Sequence, residues 1–456
     1  MTANAFGGGE SAVVITEGAV PDDEEKDRAM TIHGDLQPEL EALRRENAKL
    51  KALAAASLMP SLENLELPLA PPGTMGPPEE YNRLREQAPV TKLSVPAEFN
   101  ATIWYVTSYK DVKSLLADSR LIRPTINEWP KIENQPEDIG TPLVTMMEFN
   151  GPQAIALRRV VAEAFSAKTI QAYRPRMRAK ADEMLADLAK RGQPGDIVRD
   201  YTEPFPLWVM CDLVGIPFDD RDHYLPLADA ALGAMQTWEQ GRNSTKELYR
   251  YIRSIIEKKS RRPADDILSR VVHEWKKGTI DEEAVTAFGL SMLVAGYRTT
   301  TMFLGNSLLL LLSTPSRYAM LRDERHRLPG AVEELLRFIP VLNGIVVLLA
   351  TEDIEYNGKV IRSGDAVLPV IAAGNRDESV FPGADELDLC RVDNPHLVFG
   401  RGAHNCIAAV LARTEMAVGI EALLDRFPNL RLTDGRPATW DDSAPAKSPI
   451  TLFVDW

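Results

Sequence analysis

The stretch Phe399-Gly400-Arg401-Gly402-Ala403-His404-Asn405-Cys406 decides how this chain is read. Its two glycines allow a tight turn that few other residues could follow. The next segment, Ile407-Ala408-Ala409-Val410-Leu411-Ala412-Arg413, has the composition of a helix and puts Cys406 at a helix N-terminus. There, unpaired N–H groups and the macrodipole favour thiolate over thiol. A thiolate held this way is a soft metal ligand and suits haem iron in particular. A bare cysteine in a reducing cell is most often a small buried apolar residue. The glycine turn and the helix behind it set Cys406 apart from that background. Cys211, in Leu207-Trp208-Val209-Met210-Cys211-Asp212-Leu213-Val214, reads as core, and Cys390 has no motif of its own.

The run resembles the haem-ligand loop of the cytochrome P450 family, Phe-Gly-x-Gly-x-His-x-Cys-x-Gly. Phe399, Gly400, Gly402, His404 and Cys406 match, and Ala408 stands where the family usually has glycine. The resemblance implies a mainly α fold with small β-sheets, Cys406 as axial thiolate of haem b, and His404 approaching a haem propionate.

Composition bounds the alternatives. The 456 residues carry 45% hydrophobic side chains, enough for one large helical domain or two to three average ones. A net charge of −14 argues against a general nucleic-acid or membrane-surface binder. Three cysteines offer no disulfide framework and suggest a reducing, cytoplasmic setting. Residues 1–17 lack a basic flank and a sustained apolar segment, so no signal peptide or membrane anchor is expected. The six histidines show no metal-ligand spacing beyond the loop. No Walker loop, hydrolase elbow or dinucleotide fingerprint is present, which makes a built-in reductase unexpected.

Along the chain, residues 1–34 read as a disordered acidic tail, glycine-rich and then Asp22-Asp23-Glu24-Glu25. Residues 35–58 read as a helical arm in which Leu36, Leu40, Leu43, Asn47, Leu50 and Ala54 follow the coiled-coil period. So short a heptad is marginal alone. It fits either a helix lying on its own domain or an arm for self-association or partner docking. Residues 59–78 form a proline-rich linker, and 79–456 the cytochrome P450-like domain. Within that domain the pattern is helical over Val160–Ala189, Leu207–Leu213, Glu247–Ile256, Asp266–Trp275 and Glu282–Leu312. Strand-like runs, Ile345–Leu349 and Val360–Ile361 with Val367–Val370, flank the turn Tyr356-Asn357-Gly358.

Glu334 and Arg337 stand three residues apart on one helix face, where a carboxylate and a guanidinium can pair. Any surface helix can carry such a pair. Its place before Cys406 matches the family's Glu-x-x-Arg motif, and Asn375-Arg376-Asp377, Phe381-Pro382 and Asn394-Pro395-His396 resemble the meander to which that motif locks. Glu334, Arg337 and Arg376 are therefore expected to be structural.

Ala295-Gly296-Tyr297-Arg298-Thr299-Thr300 resembles the family's Ala-Gly-x-acid-Thr-Thr, in which glycine opens the helix and the acid and first threonine relay protons. Gly296, Thr299 and Thr300 match; Arg298 replaces the acid and cannot act as a carboxylate shuttle. Arg298 either faces solvent or a nearby acid, or binds an anionic group of the substrate. A related group of the superfamily pairs an arginine here with a fatty-acid carboxylate and peroxide, but it loses the threonine that Thr299 keeps.

The family's His-x-x-x-Arg propionate pair falls on Ala154 and Arg158, and a second propionate arginine falls on Leu348, so two usual anchors are replaced. The resemblance implies a haem-thiolate oxidoreductase, a monooxygenase or an atypical oxidase, acting on a small specialised metabolite. Thr299, Arg298 and Thr300 are its candidate catalytic residues; Cys406, His404, Arg158, Phe399, Gly400 and Gly296 are its cofactor-binding candidates. Electrons would come from a separate ferredoxin and reductase. Walls of the substrate pocket are expected from Leu121–Met147 and Gly215–Gly241, with Trp129, Tyr224, Met235 and Trp238. The alternative is a catalytically impaired relative that binds and stabilises a partner such as a glycosyltransferase. Arg298, Ala154 and Leu348 point that way, and the intact Cys406 loop points against it.

Overall fold

The computed structural model describes residues 75, 77, 79–94, 102–124, 145–231, 238–341, 347–440 and 447–456. The acidic tail, the heptad arm, most of the linker, Trp129 and Met235 lie outside the described residues, as do the side chains of residues 231–242.

Helices α1 (Glu80–Gln87) and α2 (Tyr109–Leu115) bracket strands β1 (Val90–Ser94) and β2 (Thr102–Val106); β3 (Leu121–Ile122) follows. The helical layer then runs through α3 (Gly151–Ala162), α4 (Ala167–Arg191), α5 (Pro204–Val214), α6 (Arg221–Ala231), α7 (Trp238–Arg261) and α8 (Ile267–Lys276). It continues with α9 (Glu282–Val294), α10 (Arg298–Leu312), α11 (Pro315–Asp323) and α12 (Leu328–Phe338), and closes with α13 (Ile371–Gly374) and α14 (Ala409–Arg426). Helix starts follow their capping residues. Ser108, Ser166, Asp266 and Asp281 each accept a backbone N–H of the first turn, which satisfies a donor the helix cannot.

Strand β4 (Gly195–Asp196) belongs to a separate small sheet; the larger sheet has strand order β1-β2-β8-β5-β3, with β5 at Leu348–Ala350 and β8 at Ala366–Pro369. β2 and β8 are parallel, Ile103 facing Ala366, and the intervening chain carries the helical layer between them. Asn357 and Gly358 both have positive φ, 50° and 74°, as a two-residue hairpin turn requires, and they join β6 (Ile354–Tyr356) to β7 (Lys359–Ile361).

Three sequence expectations are corrected. Val160–Ala189 is two helices, because the chain turns at 163–166 before the Ser166 cap. The run Ile345–Leu349 narrows to a strand over Leu348–Ala350, and residues 345–346 lie outside the described ones. Glu282–Leu312 is not one helix: α9 ends at Val294 and α10 begins at Arg298. Glycine is what the backbone at the break admits. A Cβ on Gly296 would come within 2.6 Å of the Met292 carbonyl oxygen, a contact only glycine avoids.

The Glu334–Arg337 pair is as expected. Both side chains are fully buried, and Arg337 meets Glu334 at 2.7 Å. Arg337 also donates to the carbonyls of Asn375, Ala384 and Glu386, while Glu334 accepts from Arg391, Asn394 and the Asp388 N–H. Arg376 caps Phe338 and pairs with Asp385. Every polar group of the pair is thus met, the condition under which a buried ion pair is tolerated; removing one partner costs about 3–5 kcal/mol. The meander fixed in this way delivers the chain to Phe399.

Candidate functional site

The Phe399–Cys406 loop folds on itself. The Cys406 N–H donates to the Phe399 carbonyl at 2.7 Å, and the Gly400 N–H donates to the Leu397 carbonyl at 2.8 Å. Gly400 and Gly402 have φ of 69° and 71°. At Gly402 a Cβ would sit 3.0 Å from Ala117 Cα, so the loop can press against the end of α2 only as glycine. Arg413, one turn into α14, lies 4.3 Å from the centre of the Phe399 ring and is held there by Glu333.

Cys406 differs from expectation in one respect. Helix α14 begins at Ala409, with Ala408 as its cap, so the sulfur precedes the helix instead of occupying its first turn. Burial pushes the thiol up from its ordinary value; the Ala408 N–H, Arg158 and Arg413 oppose this without overcoming it. Burial outweighs the helix terminus.

Basic groups gather beside the sulfur. Asn150, the residue before α3, is the organiser: its Oδ1 accepts from the Arg123 N–H at 3.1 Å and from His404 Nε2 at 3.2 Å. Its Nδ2 returns a bond to the Arg123 carbonyl at 3.0 Å. Arg158, from α3, donates to the Asn405 carbonyl. Burial pushes Arg123 down to about 10; burial, with Arg123 and Arg158 near, pushes His404 down to about 4. Arg123 Nε is buried with no hydrogen-bond partner, and neither arginine forms an ion pair with a described residue. Buried cations without counter-charge are costly. The cluster therefore suits a ligand that brings carboxylates, which is what haem b does with its propionates beside a sulfur ligand. Sequence reasoning missed Arg123 and Asn150. An arginine after a two-residue strand carries no local signal, and the fold brings it to His404 from far along the chain.

Ala154 is half-buried on α3, and Leu348 is buried in β5, 4% exposed; neither supplies a charge. Arg123 brings a guanidinium to the same cluster, with its Nε lacking a hydrogen-bond partner.

Above the break between α9 and α10, the Thr299 hydroxyl donates to the Ala295 carbonyl at 3.2 Å. Arg298 turns to two acids: its Nη1 is 3.8 Å from Glu203, next to the start of α5, and its Nε is 3.8 Å from Asp229 of α6. Burial raises the Glu203 carboxyl, and Arg298 opposes that shift. Of the two readings of Arg298, the geometry favours pairing with nearby acids, since its guanidinium already faces two carboxylates. Thr300 is buried in α10, and Glu415 is buried in α14. Tyr224, expected as a pocket wall, is fully buried against Cys211 at 3.0 Å. Cys211 is core, as expected. No helix of the described residues is long and apolar enough to cross a membrane, and none of their acidic, histidine or cysteine side chains group as a metal site.

A family model described as cytochrome P450 matches residues 224–442. The mycinamicin IV hydroxylase/epoxidase of Micromonospora griseorubida is 34% identical over 382 residues, covering 82% of this chain and 94% of that protein. The nocardicin C N-oxygenase of Nocardia uniformis subsp. tsuyamanensis is similar to the same extent, 34% over 382 residues with 82% and 94% covered. Among solved structures, HinD with NMFT and NO superposes with a TM-score of 0.80 at 32% identity, covering 87% of this chain and 100% of that one.

Proposed function

This chain belongs to the cytochrome P450 family, and from that membership we propose that it oxidises a small organic substrate of specialised metabolism, with Cys406 as the axial thiolate. It is a monooxygenase-type oxidoreductase that binds haem b. The observation that carries the assignment of Cys406 is the Phe399–Cys406 loop, closed by its own hydrogen bond beside three basic side chains.

When bound, the haem would supply the activation of dioxygen, of which one oxygen atom enters the substrate and the other leaves as water with two electrons and two protons. The chain's own residues do the rest. Arg123, Arg158 and His404 would hold the propionates, and Phe399, against which Arg413 lies, would back the sulfur. Gly296 opens the helix to make room, and Thr299, within that opening, orients the site where protons are consumed. Arg298 fixes α5 and α6 to α10 through Glu203 and Asp229. It thereby shapes access without donating a proton.

Electrons come from a separate ferredoxin and reductase. Two relatives, a hydroxylase/epoxidase and an N-oxygenase, support oxygen insertion; no observation favours the helper reading. If residues 35–58 serve as a self-association arm, the full chain sediments as a dimer and a chain lacking residues 1–60 as a monomer; two monomers leave a helix lying on its own domain or an arm for a different partner. The test of the main proposal is the absorption spectrum of the reduced protein under carbon monoxide, where a thiolate ligand gives a red-shifted Soret band.

A further inference from the structure

Three side chains meet beside the Phe399 ring, and none belongs to the cluster of Arg123, Arg158 and His404. Glu333 of α12 accepts from Arg413 of α14 through both oxygens, at 2.7 Å from Nε and 2.9 Å from Nη2. A two-pronged pair of this kind fixes the guanidinium plane. The guanidinium carbon lies 4.3 Å from the centre of the Phe399 ring. His396 completes the group: its Nε2 is 3.0 Å from Glu333 Oε2, and its ring centre is 6.0 Å from that of Phe399. The Val398 N–H donates to His396 Nδ1 at 3.4 Å, so the ring hydrogen sits on Nε2 and is given to Glu333. The adjacent Glu334 takes no part, being committed to Arg337, Arg391 and Asn394.

The charge of this group is balanced: one carboxylate meets one guanidinium, and the imidazole is neutral. The His396 side chain is buried and the other two are half-buried, so their charges act through a medium less screening than water. Arg413 is close enough to Cys406 to favour its thiolate, as is Arg158 from α3. Arg158 has no carboxylate partner among the described residues, whereas Arg413 has Glu333. How much of the Arg413 charge reaches the sulfur is therefore governed by Glu333.

We propose that Glu333 is a positioning residue that neutralises Arg413 beside Phe399 and thereby keeps the reduction potential of the Cys406-bound haem low; the proposal rests on the haem-thiolate reading above. Reduction adds one negative charge to the haem, so a net positive charge nearby favours the reduced form and a net negative charge opposes it. As a balanced pair, Glu333 and Arg413 steady the Phe399 ring and add no net charge. Neither touches the reacting atoms; both act through Phe399 and the sulfur.

The test is spectroelectrochemistry of the full-length haem protein and its E333Q, R413Q, R413K and E333Q/R413Q variants. E333Q leaves Arg413 unbalanced and should favour the reduced form about tenfold, ~59 mV for one electron. R413Q leaves Glu333 unbalanced and should disfavour the reduced form by a similar factor. R413K keeps the charge and the double variant removes both charges, so each should lie near the native potential. Opposite signs are what charge requires. A pair that only held the loop in place would shift E333Q and R413Q the same way, and the double variant would not return to the native value. That result overturns the proposal, as does a native potential in E333Q. Should E333Q fail to take up haem, R413Q is set against R413K, and equal potentials in the two overturn it. A native protein without the red-shifted carbon-monoxide band defeats the haem-thiolate reading instead, so the two failures are distinct.

Discussion

The backbone N–H of Cys406 donates to the carbonyl oxygen of Phe399 at 2.7 Å, so the loop between them is closed by a backbone bond of its own. The sulfur is then held between the Phe399 ring, itself backed by Arg413, and the basic cluster formed by Arg123, Arg158 and His404.

Arg123 should therefore matter for haem retention, although it lies far from the loop in sequence. A charge-assisted contact contributes about 1.5–3 kcal/mol, so R123A should speed haem loss by about 10- to 100-fold. Transfer of haem to an excess of apomyoglobin measures the rate. An unchanged rate would remove Arg123 from the propionate site.

The sequence made the loop, Glu334, Arg337 and the Arg376 meander legible because their chemistry lies at fixed short spacing. Two features were not. Arg123 reaches His404 only through Asn150, and Arg298 meets its acids from α5 and α6, so both depend on tertiary packing. The helix position of Cys406 was read one turn too generously, since the run Ile407-Ala408 has helical composition but the cap falls at Ala408. The break at Gly296 was foreseeable as a local opening, yet the full separation of α9 from α10 was not; the Met292 carbonyl lies close against the glycine there.

Arg298 should behave as a tie between helices. R298E places a third carboxylate against Glu203 and Asp229 and should lower the thermal midpoint. The charge swap R298E/E203R should recover most of the loss, which a double-mutant cycle reads directly. If R298E leaves stability unchanged and abolishes substrate binding, the anion-binding role stands instead.

The contributions of two buried carboxyls to stability should fall on either side of about pH 4.5, for opposite reasons. Glu333 is half-buried, which works against ionisation, but His396 and Arg413 hold it down to about 2. A lowered carboxylate stabilises the fold above its ordinary value of 4.5, and that contribution is lost as pH falls towards 2. Glu415 has the reverse sign. Raised to about 8, it stays protonated in the fold while the unfolded chain ionises above 4.5, so stability drops as pH rises from about 4.5 to 8. Denaturant titrations across pH should show E333Q flattening the acid limb and E415Q flattening the neutral-to-alkaline limb.

A thiolate presented to haem by the loop ending at Cys406 is read in the absorption spectrum of the haem-loaded protein, reduced and exposed to carbon monoxide. The red-shifted Soret band of thiolate ligation should appear, and should be absent in C406A. Bound haem that gives the unshifted band of a neutral or histidine ligand would contradict it.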